Sequence, residues 1–78
     1  MQIDIPHDKF GRCDYFAPPA IAAWFKEHKL GYSLCAITSW GTGEGGESCY
    51  HIPDASAEDA LAFKIHFPDC KVHHSALD

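Results

Sequence analysis

Residues 32–53 read YSLCAITSWGTGEGGESCYHIP, and their order restricts the fold more than any other stretch of the chain. Two runs rich in β-branched, aromatic and small apolar side chains, 32–40 and 47–53, flank the hexapeptide GTGEGG. The first run alternates, so a strand there would turn Leu34 and Ala36 to one face and Cys35 and Ile37 to the other. The second is closed by Pro53, which has no N–H to give to a ladder. Two strands joined by a glycine-rich connection read as an antiparallel hairpin.

The hexapeptide at 41–46 also matches the dinucleotide-binding pattern G-x-G-x-x-G letter for letter. That pattern works when its glycines follow a strand and open a helix, whose N-terminal N–H groups and dipole meet a pyrophosphate. Here the next element is a strand, and Glu44 and Glu47 would set negative charge beside an anionic ligand. The match is therefore read as a hairpin loop, with no nucleotide cofactor. Trp40 at its base, with Glu44 and Glu47, would suit a protein contact, since binding residues often ride on loops held by a scaffold.

Helical patterns lie on both sides of the hairpin. PPAIAAWFKEHKLG (18–31) has a proline for the first turn, Ile21, Trp24, Phe25 and His28 at helical spacing, and Gly31 for the stop. DASAEDALAFKIHFP (54–68) places Ser56 three residues before Asp59, the spacing of a capping box. It then pairs Leu61 with Ile65 and Phe63 with Phe67, and Pro68 stops it. QIDIP (2–6) alternates as a first strand, 7–16 has neither period and reads as loop, and CKVHH (70–74) suits a short last strand. The order β-α-β-β-α-β predicts an α+β domain of ferredoxin-like type over residues 1–78, an antiparallel sheet with two helices on one face.

A chain of 78 residues has one small core and little room for an enclosed active site. A homodimer sharing that core would be an easy source of further burial. Its formal net charge is −5, which argues against direct binding of nucleic acid or an anionic membrane. Between Lys29 and Lys64 there is no Lys or Arg, while Glu44, Glu47, Asp54, Glu58 and Asp59 fall there. That stretch reads as a solvated acidic face or as a patch for a basic partner. No apolar run is long enough to span a bilayer and no signal-peptide pattern opens the chain, so a cytoplasmic location with reduced thiols is expected.

The four cysteines and six histidines raise a metal alternative. Cys49 and His51 share a strand face, and Cys70 lies three residues before His73, so these four are the set for a structural zinc. No C-x2-C pair is present. The competing expectation puts Cys35 and Cys49 in the core as small apolar residues and leaves the histidines mostly on the surface or rim. No catalytic signature of the G-x-S-x-G, H-E-x-x-H or H-x-E…P-C-x-x-C kind occurs, and the expectation is a protein that is not an enzyme.

The segment EDALAFKIHFPD (58–69) resembles one found in many small phage-encoded proteins, where an acidic-Ala-Leu-x-Phe-Lys-[Leu/Ile]-basic-[Phe/Trp] run follows a strand. Glu58, Asp59, Ala60, Leu61, Phe63, Lys64, Ile65 and Phe67 fit; His66 stands for the usual Lys or Arg, and Pro68 for the usual Gly. The resemblance covers these dozen residues and implies a viral or mobile-element origin. By analogy of size and charge, the chain is similar in kind to anti-CRISPR proteins, small acidic inhibitors that cover nucleic-acid-binding surfaces. The expected function is thus a protein-binding module that blocks such a surface on a basic host complex. Its expected contact residues are Trp40, Glu44, Glu47, Asp54, Glu58 and Asp59. The alternative is a small zinc protein using Cys49, His51, Cys70 and His73.

Overall fold

In a computed structural model, residues 1–40 and 45–75 are described. They form β1 (Gln2–Pro6), α1 (His7–Phe10), α2 (Pro19–Glu27), β2 (Ser33–Trp40), β3 (Gly45–His51), α3 (Ala57–His66) and β4 (Lys71–His73). The four strands make one sheet in the order β2-β3-β1-β4, with every neighbouring pair antiparallel. The domain is α+β. Of the glycines expected in the hairpin loop, Gly41 and Gly43 lie outside the described residues, while Gly45 and Gly46 belong to β3 and pair with Trp40 and Ser39. A strand follows the glycines, so the helix that a pyrophosphate would need is not there.

One face of the sheet carries the core. Ile3 and Ile5 of β1 and Ser48 and Tyr50 of β3 are buried, while Asp4, Glu47 and Cys49 alternate to the open face. Over the inner face, Phe25 of α2 stacks on Phe63 of α3 at 5.4 Å and Trp24 meets Phe63 edge-on at 5.2 Å. Aromatic contacts of this kind add roughly 0.5–1.5 kcal/mol each beyond simple burial. The capping box at α3 forms as its spacing predicts, with Ser56 Oγ accepting from the Asp59 N–H and the Asp59 carboxylate accepting from the Ser56 N–H. Of the two pairs expected on this helix, Phe63 and Phe67 are buried, whereas Leu61 and Ile65 face solvent.

Three local expectations are corrected. Residues 7–10 are a helical turn rather than loop, ended by Gly11 at φ 79, whose N–H returns to the His7 carbonyl at 2.8 Å. The strict alternation along 32–40 fails because β2 carries a bulge: Leu34 pairs with Tyr50, but the next partner of β3, Cys49, faces Ala36. The extra residue, Cys35, is exposed, so Leu34 and Ile37 both point inward instead of Leu34 and Ala36. Helix α2 stops before Gly31. Lys29 takes the left-handed conformation (φ 57), with Leu30 N–H bonded to the Phe25 carbonyl and Lys29 N–H to that of Lys26. Those two bonds are a Schellman stop, built here on a lysine.

Candidate functional site

The loop between α1 and α2 is fixed to the inner face by three hydroxyls from the strands and the segment before them. Ser48 Oγ donates to the Cys13 carbonyl at 2.7 Å, and Tyr50 Oη donates to the Asp14 carbonyl. Tyr32 Oη accepts from the Ala17 N–H at 3.2 Å. Cys13 and Ala17 are buried, and between these anchors Tyr15 and Phe16 stand 80% and 81% exposed. With Leu30 and Tyr32 they line an open groove of about 480 Å³, and Lys26 of α2 lies at its wall. Exposing two adjacent large aromatics forgoes their burial in the core. Holding the backbone on both sides of them removes ordering cost from any contact they make.

His7 supports the same loop from below. It is buried, and its Nε2 lies 2.8 Å from Ser48 Oγ. The hydroxyl has one proton and gives it to the Cys13 carbonyl, so it accepts from His7, which therefore carries its proton on Nε2. A serine nucleophile needs the opposite polarity, with the imidazole taking the hydroxyl proton. In this arrangement the His7–Ser48 pair is a strut. The expectation of mostly surface or rim histidines holds for the other five, while His7 is 6% exposed.

The expected acidic contact residues belong to different elements. Glu47 lies in β3 and its carboxylate is 3.4 Å from Lys71 Nζ, in a groove shared with Asp8 and Asp69. Asp54, Glu58 and Asp59 come after the end of that strand, in the turn that follows it and in the first turn of α3. Asp54 and Glu58 are exposed, and Asp59 is held in the capping box. Glu44 lies outside the described residues, as does the side chain of Trp40. Asp8 and Asp69, distant from Glu47 in sequence, are its real neighbours, brought there by β1 and β4 flanking each other.

The proposed zinc set is divided by the sheet. Cys49, His51 and His73 belong to the open face, where Cys49 pairs across from Asp4, and His73 Nε2 lies 3.0 Å from the Asp4 carboxylate. Cys70 is in the core beside Cys13 on the other side. Among the described residues no three His, Cys, Asp or Glu side chains lie close enough to hold a metal. The expected core thiols exchange places as well: Cys13 and Cys70 are buried, Cys35 is exposed and Cys49 half-buried. Burial and the Asp69 carboxylate push the Cys70 thiol up to about 12. Burial, Asp4 and Cys35 push Cys49 up to about 12 as well. Both are held as neutral thiols.

Tyr15 and Phe16 were not among the residues singled out from the sequence. The signal lies in their anchors: Tyr50 sits at an inward strand position and Tyr32 just before β2, packed on the core, where a hydroxyl must find a partner. No protein-family model matches the chain, and no curated protein or solved structure matches it. Among the described residues no helix is long and apolar enough to cross a membrane.

Proposed function

We propose that this chain is a stoichiometric protein-binding module, not an enzyme, in which a ferredoxin-like scaffold presents the Tyr15–Phe16 loop to a partner. The scaffold assignment is supported by the antiparallel order β2-β3-β1-β4 and by α2 and α3, each joining two strands that are not neighbours. The observation that carries the functional reading is the pair of exposed aromatics held between fixed backbone anchors. Large rigid aromatics rimmed by polar groups are the side chains that dominate binding energy at interfaces.

The most concrete form is an inhibitor, of the phage type that the 58–69 segment resembles, that occupies a nucleic-acid-binding surface of a cytoplasmic host complex. The net charge of −5 supports this form, as do the exposed carboxylates of Asp54 and Glu58. A basic partner would be attracted over several ångströms, with the aromatics supplying the short-range contact. The acidic residues thus act in steering rather than as the centre of the contact.

Photo-crosslinking inside the host cell tests this. A benzophenone amino acid replaces Tyr15 in one variant and Asp54 in another. Crosslinks from position 15 to a nucleic-acid-binding protein, lost on addition of that protein's nucleic acid, are the expected result. Crosslinks from position 54 alone would move the contact to the acidic end. Failure of both positions to capture a partner would remove the binding-module reading.

A further inference from the structure

We propose that Cys35 and Cys49 form a thiol-oxidation site on the open face of the sheet, converted by hydrogen peroxide into a disulfide that ties β2 to β3. At the bulge Cys35 and Ala36 both stand on the open face opposite Cys49, with Leu34 and Ile37 turned inward. Cys35 and Asp4, the register partner of Cys49 on the other side, both act on the Cys49 thiol.

The register partner of Cys49 is Ala36, one residue from Cys35; directly opposed strand residues have Cα atoms about 4.5–5.5 Å apart, and a disulfide spans up to about 6.8 Å. Solvent reaches one partner of the pair, since Cys35 is exposed while Cys49 is half-buried. The other two thiols are shielded, with Cys13 at 8% and Cys70 at 5% exposure. Accessibility therefore separates the pair that reacts from the pair that does not.

The chemistry runs in two displacements. The Cys35 sulfur attacks one peroxide oxygen; the S–O bond forms, the O–O bond breaks, and the thiol proton leaves with the other oxygen as water. Cys49 sulfur then attacks the sulfenyl sulfur of Cys35; the S–S bond forms, the S–O bond breaks, and hydroxide leaves with the Cys49 proton as a second water. Asp4, beside Cys49, is placed to carry that proton. Two thiols are oxidised by two electrons and one peroxide is reduced. The product closes a ring of about 15 residues around the glycine connection.

The test is peptide mapping of the purified reduced protein after stoichiometric hydrogen peroxide. The expected product has lost two hydrogens and joins Cys35 to Cys49. In Cys49→Ser, Cys35 is expected to stop at the sulfenic acid and be trapped by dimedone; in Cys35→Ser, the loss of two hydrogens disappears. Diamide, which oxidises thiol pairs without peroxide, should give the same linkage in the unsubstituted chain. A linkage of Cys13 to Cys70, intermolecular dimers in place of the internal bond, or four thiols still titratable after both oxidants would overturn the proposal.

Discussion

His7 Nε2 and Ser48 Oγ, 41 residues apart in the chain, are joined by a buried 2.8 Å hydrogen bond that continues to the Cys13 carbonyl. The chain of donors runs one way, from imidazole to hydroxyl to backbone, and Ser48 is the link with no exposure to water. Replacing Ser48 by Ala leaves a donor and an acceptor facing each other across a gap with nothing between. Leaving buried groups unpaired costs about 1–3 kcal/mol. In a chain of this size each kcal/mol moves the melting midpoint by roughly 4–8 °C. The expected result for Ser48→Ala is a lower urea midpoint and melting temperature. Nitrogen-15 spectra of the unsubstituted protein are expected to show His7 protonated on Nε2. An unchanged midpoint would mean that the strut bears no load.

A second prediction concerns the stop of α2. Lys29 holds φ 57, a conformation that crowds any Cβ, while both Schellman hydrogen bonds form around it. The sequence offers glycine two positions later, at Gly31, where the stop does not fall. Lys29→Gly relieves the backbone at the position that needs it and is expected to stabilise the fold by about 0.5–1 kcal/mol. Thermal melting of Lys29→Gly beside Lys29→Ala checks this, since alanine keeps the Cβ and gains nothing. Equal midpoints for the two would assign any change to the lost lysine charge.

What was legible in the sequence follows a physical line. The hairpin, α3 with its capping box and the first strand rest on short-range chemistry: alternation, a Ser–Asp spacing, prolines. The first strand and α3 form as read, apart from shifts in their ends, and the two hairpin strands pair antiparallel. The β2 bulge was not legible because one extra residue leaves composition unchanged while turning Ala36 outward and Ile37 inward. Helix α1 is one turn with no apolar period to reveal it, made by Gly11 closing on His7. The site was less legible than the fold. Asp8, Glu47 and Asp69, far apart in sequence, meet in one groove through strand order, whereas Asp54 follows β3. Tyr15 and Phe16 gain their meaning from hydroxyls at Tyr32, Ser48 and Tyr50, which no local pattern links to them.

Those hydroxyls give the third prediction. Tyr32→Phe removes the acceptor for the Ala17 N–H, and Tyr50→Phe removes the donor to the Asp14 carbonyl, while both keep their rings in the core. Each substitution should loosen the loop more than the fold. Chymotrypsin cuts after aromatic residues in chains that can open locally, so cleavage after Tyr15 and Phe16 reports this directly. The double variant is expected to be cut at these sites several-fold faster under native conditions, with cleavage elsewhere unchanged. Faster cutting throughout the chain would show global destabilisation instead, and an unchanged rate would show that the anchors do not hold the loop.

The last prediction follows from the buried thiols and phenol. Burial raises Cys70 from an ordinary value of 9.0 to about 12, with Asp69 and Cys13 adding to the effect. Burial also raises Cys49 to about 12 and shifts Tyr50 upward from 10.0. In the unfolded chain the thiols ionise near their ordinary value, whereas the folded chain keeps those protons. Below pH 9 both states are protonated and stability is at its full level. Between pH 9 and pH 12 the unfolded state gains the free energy of ionisation, so stability falls as pH rises. Urea midpoints measured from pH 7 upward are expected to stay level and then decline across that window. Cys70→Ala removes one of the groups responsible and leaves a small cavity. Its midpoint should therefore start lower at pH 7 and fall less steeply above pH 9. A slope equal to that of the unsubstituted protein would mean that Cys70 ionises in the folded state as readily as in the unfolded one, which its place in the core forbids.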